Sequence, residues 1–185
     1  LAFDIKRKIL INNVKQYYDE HPVLRGKFEK ELAYLSYNPN GFVFPYKQIK
    51  RLDNIKSGFD IAKQLPYVIH EGKYLYFPST WTVEMAYKTY RNFIEIENLL
   101  GGGYKEKAPH QYETDKFRVE KGDVLIDIGC AEGLLTLHHI ENIKKAYLIE
   151  SDKLWSEALK ATFEPYGDKV VFINKLVSDK NTESS

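Results

Sequence analysis

The sequence predicts an α/β protein. A parallel sheet with helices is expected over residues 106–185. It follows a mainly helical N-terminal region with a β-hairpin over 1–105. Three observations carry this reading. An apolar run at 124–128 leads into Asp127-Ile128-Gly129-Cys130-Ala131-Glu132-Gly133. A helical pattern follows, and a second apolar run at 146–150 ends in Glu150. A third apolar run occupies 170–174 after another helical pattern. A strand, a glycine loop, a helix and a second strand tipped by an acid form a nucleoside-binding half of a doubly wound sheet.

In chain order, Phe3, Ile5, Ile9, Leu10 and Val14 fall at helical spacing, so 3–19 is expected to be a helix. Pro22 closes it, and a weaker helix is expected over 24–36. Asn38-Pro39-Asn40-Gly41 is a turn cluster, and Phe42 to Tyr46 suits a short strand. Residues 47–65 are ambiguous, with a helix suggested from Phe59 to Gln64. Residues 67–77 are expected to form a hairpin, with His70-Glu71-Gly72-Lys73 between two β-prone arms. The clearest helical pattern is 82–100, where Val83, Ala86, Tyr87, Tyr90 and Ile94 share a face. Gly101-Gly102-Gly103 stops it, and a domain boundary is expected near 104–110. Beyond it, strands are expected at 124–128, 146–150 and 170–174, with helices at about 133–142 and 153–163. The strands are continuously apolar, as expected where helices cover both faces of a parallel sheet.

The loop spacing discriminates between nucleosides. A dinucleotide loop has G-x-G-x-x-G, with a small residue closing the helix against the strand. Counted from Gly129, those places hold Gly129, Ala131 and Leu134, and leucine fits poorly. The second glycine comes one position early, giving Asp-x-Gly-x-Ala-x-Gly. A carboxylate at Asp127 would oppose a pyrophosphate and suits a ligand with a cationic end. S-adenosyl-L-methionine carries a sulfonium and an ammonium and no phosphate. No G-x-x-x-x-G-K-[ST] occurs, which argues against a phosphate-cradling loop.

These segments resemble the Rossmann-like S-adenosylmethionine-dependent methyltransferases, and among them the FkbM family. The resemblance rests on DVLIDIGCAEGLLTL at 123–137, AYLIESDKLWSEALKATF at 146–163 and VVFINKLVSDK at 170–180. The lead-in HQYETDKFRVEKGD at 110–123 is also similar. About the last 75 residues are covered. Ala131 departs from the glycine that many methyltransferases have there. The resemblance implies an O-methyltransferase acting on a small-molecule or glycan hydroxyl, with S-adenosyl-L-methionine as cofactor. Such proteins are built on seven strands, and three fit before Ser185, so the chain is expected to be an excerpt. The first strand would then be an open apolar edge.

The cofactor-binding candidates are Asp127, Gly129, Cys130, Ala131, Glu132, Gly133, Glu150, Ser151, Val177, Ser178, Tyr112 and Thr114. Gly129 and Gly133 let the backbone approach a ligand closely. Asp127 is expected to order the loop and face the amino-acid end of the cofactor. Glu150 is expected to bind the two ribose hydroxyls, while Asp152 caps the next helix. By resemblance, Val177 and Ser178 lie along the adenine, and Tyr112 and Thr114 close over the methionine end. Cys130 is a small residue in a tight turn rather than a nucleophile. No catalytic base is assigned.

Composition bounds the remaining readings. The chain has 185 residues and a net charge of +1, so nothing suggests a general grip on nucleic acid. No run approaches the ~18 apolar residues of a membrane span. A single cysteine excludes an internal disulfide and fits a cytoplasmic setting. The five histidines have no metal-ligand spacing with cysteine or acids, so no metal is expected. A homo-oligomer is left open. The alternatives are an NAD-linked oxidoreductase, and a glycan- or protein-binding module with a vestigial nucleoside-binding half.

Overall fold

The computed structural model describes residues 2–37, 54–102 and 110–179. The expected turn at 38–41, the expected strand at 42–46 and most of the expected boundary at 104–110 lie outside these.

The N-terminal helix is α1 (Ala2–Asp19), as its apolar spacing requires. The expected second helix is broken into α2 (Pro22–Lys27) and α3 (Glu29–Tyr37). Pro22 sits in the first turn of α2, where its missing N–H leaves no bond unmade. The break falls at Phe28, whose φ of −119° and ψ of 24° are not helical.

An antiparallel sheet follows, made of β1 (Ser57–Asp60), β2 (Leu65–His70) and β3 (Lys73–Tyr76) in that order. The helix expected at 59–64 is therefore not formed. Phe59 pairs with Pro66 across the strands, and the Asp60 carboxylate accepts N–H bonds from Ala62 and Lys63. That side-chain turn reverses the chain where a helix would have continued. The β2–β3 turn matches expectation, with Glu71 at φ 51° and Gly72 at φ 82°, both positive as a tight hairpin demands.

Thr82 caps α4 (Val83–Arg91) by accepting the Met85 N–H. The helix expected to 100 widens at Asn92–Ile96 into a π turn. Glu95 in that turn, and Asn98 and Leu99 just after it, are buried.

The C-terminal half holds β4 (Val124–Ile128), α5 (Leu134–His139), β5 (Lys145–Ile149), α6 (Ser156–Phe163) and β6 (Val170–Ile173). The three strands are parallel, in the order β4-β5-β6. The expected helices are shorter than their patterns. α6 is preceded by a 3-10 turn at Lys153–Trp155, capped by Asp152, and Gly133 rather than a helical residue opens α5.

The chain is thus a mixed α/β protein with one parallel and one antiparallel sheet. Its core does not divide at 104–110. Val68, Leu75, Phe77, Ala86 and Tyr90 belong to the same buried cluster as Leu134, Leu137, Leu148, Leu159 and Phe163. The Tyr76 N–H donates to Thr162 Oγ1 of α6 at 2.9 Å, joining β3 to the second half. Phe77, Trp81 and Trp155 pack together, with the two indoles 5.3 Å apart.

Helices were expected on both faces of the parallel sheet. α5 and α6 both cover the face of Leu125, Asp127, Ala146 and Leu148. Val124, Ile126 and Ile128 face the other way and are 54–60% exposed. Same-handed crossovers between strands laid down in one direction place their helices on one side, which explains the asymmetry. Among the described residues β4 pairs with β5 alone.

Candidate functional site

The candidate site lies at the carboxyl ends of β4 and β5. β4 delivers Asp127 to the helix-covered face, beside α5. The loop turns sharply there, with Gly129 at φ 68°, Ala131 at 43° and Gly133 at 74°. Gly129 N–H donates to the Ile149 carbonyl at 2.8 Å, and Gly133 N–H to that of Cys130 at 2.7 Å. These bonds fold the loop over the end of β5.

The two glycines have different surroundings. A Cβ on Gly129 would meet nothing within 4 Å, so that stretch of backbone faces open space. A Cβ on Gly133 would lie 2.8 Å from the Phe163 ring and 3.2 Å from Leu159 Cδ2. Gly129 borders open space, and Gly133 allows the close seating of α5 against α6.

Glu150, at the tip of β5, is half-buried. Its Oε2 accepts the Ala131 N–H at 3.0 Å and its Oε1 the Asp152 N–H at 2.8 Å. Alanine is uncommon at positive φ, and the bond from Glu150 holds Ala131 in that conformation. A carboxylate oxygen has a second lone pair, so each oxygen can still accept a hydroxyl. A cleft of about 230 Å3 adjoins it, lined by Leu148, Glu150, Ser156, Leu159, Phe172 and Asn174.

Asp127 and Glu132 give the site its charge. Burial raises the Asp127 carboxyl, partly offset by the Thr136 hydroxyl, which donates to its Oδ2 at 2.8 Å. It bonds α5 rather than the loop N–H groups. Glu132 is 5% exposed, and burial pushes it up to about 7, with Asp127 and Glu97 adding repulsion. Among the described residues, no lysine or arginine pairs with either acid. A half-buried and a buried carboxylate at one loop favour a cationic ligand and oppose a phosphate.

Tyr112 is held close to this charge. Its N–H donates to the Leu99 carbonyl at 2.9 Å, and its phenol is pushed up to about 12 by burial, with Glu132 and Asp127 contributing. Thr114 is occupied differently, since its hydroxyl accepts the N–H groups of Lys116 and Phe117 in an exposed turn. Cys130 is buried, and its thiol is pushed up to about 12 by that burial, so it stays protonated and unreactive. Ser151 is exposed beside Glu150. Val177 and Ser178 lie on an exposed stretch after β6, apart from the loop's hydrogen bonds. The role of Glu150 in holding Ala131 was not legible, because the two are 19 positions apart.

No protein-family model matches the chain. No curated protein matches it either. Among solved structures, it is similar to a precorrin 8W decarboxylase from Methanobacterium thermoautotrophicum, at 25% identity and a TM-score of 0.27. That likeness covers 29% of this chain and 30% of the other, under a third of each, and carries no argument about function.

Proposed function

We propose that the chain binds S-adenosyl-L-methionine and serves methyl transfer to a hydroxyl, in keeping with its resemblance to FkbM-like methyltransferases. The observation that carries this is a pair of carboxylates at the glycine loop, Asp127 half-buried and Glu132 buried. A ligand with an ammonium and a sulfonium gains from them, whereas the pyrophosphate of NAD is repelled. Glu150 accepts the ribose hydroxyls while it anchors Ala131. The Gly129 backbone lies against the ligand, and Tyr112 borders its charged end.

When bound, the cofactor supplies a methyl group already activated on sulfur. The protein's part is to align that carbon with a nucleophile and exclude water. A saccharide or secondary-metabolite hydroxyl is the proposed acceptor, on the strength of the resemblance. Calorimetric titration of the protein with S-adenosylmethionine and, separately, with NAD tests the reading. Binding of S-adenosylmethionine alone is expected. Binding of NAD alone, or of neither, overturns it.

A further inference from the structure

Outside that loop, three metal-ligating side chains converge where the hairpin meets α5. His70 ends β2, Glu71 occupies the turn, and His138 comes from α5. His70 Nε2 lies 3.3 Å from His138 Nδ1. Glu71 Oε2 lies 3.2 Å from His138 Nδ1 and 3.7 Å from His70 Nε2.

These separations discriminate between explanations. Two donor atoms on a tetrahedral Zn2+, with bonds of 2.0–2.1 Å, stand about 3.3–3.4 Å apart. Two neighbouring oxygens on octahedral Mg2+ stand about 2.9 Å apart. N–H hydrogen bonds cluster near 2.9–3.0 Å, so 3.3 Å between ring nitrogens is long for one. The distances fit the edges of a tetrahedron better than either alternative.

The surroundings agree. His70 Nδ1 lies 2.8 Å from the buried Tyr90 hydroxyl. With Nδ1–H donating to that oxygen, the Nε2 lone pair points at the other two ligands, the orientation a metal-bound histidine requires. Glu71 is half-exposed, so a solvent water would complete the shell. Lys73 Nζ, 3.8 Å from the same Glu71 oxygen, is a competitor for that carboxylate.

We infer that His70, Glu71 and His138 form a binding site for a Zn2+-class divalent cation that clasps the β2–β3 hairpin to α5. The donor set of two imidazoles and a carboxylate suits zinc rather than calcium or magnesium. The inference stands apart from the cofactor reading, because it needs neither the loop nor Glu150.

The test uses the metal itself. Protein stripped with chelator is titrated with Zn2+, with Mg2+ and with Co2+, whose visible absorption reports tetrahedral coordination. One equivalent of Zn2+ is expected to bind, to raise the melting temperature, and to displace Co2+ from a tetrahedral site. His138→Ala, at a partly buried position, and Glu71→Gln, at an exposed one, should each weaken Zn2+ at least about 100-fold while the far-UV circular dichroism stays that of the folded protein. Tyr90→Phe should weaken it about 10- to 100-fold, as loss of an orienting partner does. His21→Ala, on the N-terminal helices, should change nothing. Absence of stoichiometric Zn2+ binding, a preference for Mg2+, or undiminished binding in folded His138→Ala would each overturn the assignment.

Discussion

Placing alanine at each of the two loop glycines separates packing from ligand approach. Both have left-handed backbone, so each substitution carries strain of about 1–2 kcal/mol. Both recover about 0.4–1 kcal/mol because alanine narrows the unfolded ensemble. They differ in what the new methyl group meets. At Gly133 it would stand 2.8 Å from Phe163, a ring that is 1% exposed and has no room to retreat. Overpacking of that kind adds about 1–3 kcal/mol. At Gly129 it would meet open space. Gly133→Ala should therefore lose about 2–4 kcal/mol and Gly129→Ala only about 1. Urea melts followed by tryptophan fluorescence are suited to the measurement, since Trp81 and Trp155 both pack against the shared core. The same Gly129→Ala protein should bind S-adenosylmethionine more weakly despite being nearly as stable as wild type. Equal losses at the two positions would refute the reasoning, as would a Gly129→Ala protein with unchanged affinity.

Folded Glu132 keeps a proton that the unfolded chain has released, so its own contribution to stability should fall by about 3 kcal/mol as pH rises from about 4.5 to about 7, while buried His70, pushed down to about 4, contributes in the opposite sense. The Glu132 part is read as the difference between wild type and Glu132→Gln in melts across that range, and equal pH dependence in the two proteins would refute it. Uptake of a cationic ligand should favour the ionised acid, so calorimetry near pH 7 in buffers of different ionisation enthalpy should detect proton release. Glu150→Ala should weaken S-adenosylmethionine by about 2–3 kcal/mol, since charge-assisted hydrogen bonds are the strong ones. Unchanged affinity in that folded variant would remove Glu150 from the site. Cys130 should react with a thiol reagent only after unfolding, which a trapping assay with and without denaturant would check.

The parallel half was the most legible part of the chain. Its strands are short apolar runs bounded by turn residues, and its loop announces itself by two glycines and two acids within seven positions. The tight turn at Gly129 and Gly133 follows from local spacing, and both have the positive φ such a turn needs. Three features resisted for a common physical reason: each depends on residues remote in sequence. Phe59 joins a strand because Pro66 and its neighbours pair with it, overriding a weak helical pattern. The helix through Arg91 widens where Glu95 and Asn98 are drawn into the core. His70 and His138 are 68 positions apart, so no spacing rule links them. The turn in which the Thr114 hydroxyl accepts the Lys116 and Phe117 N–H groups carries no pattern the sequence reading used.

The hydrogen bond from Tyr76 to Thr162 and the indole pair Trp81–Trp155 have a thermodynamic consequence. They make the antiparallel sheet and the parallel-sheet half one cooperative unit, opening together rather than in succession. Amide protons of β2 and β3 should then exchange with solvent at the pace of those in α6. A ligand seated against Gly129 would slow exchange in the hairpin as well, although it touches none of it, because whatever binds the folded form alone makes every opening that must precede its release rarer.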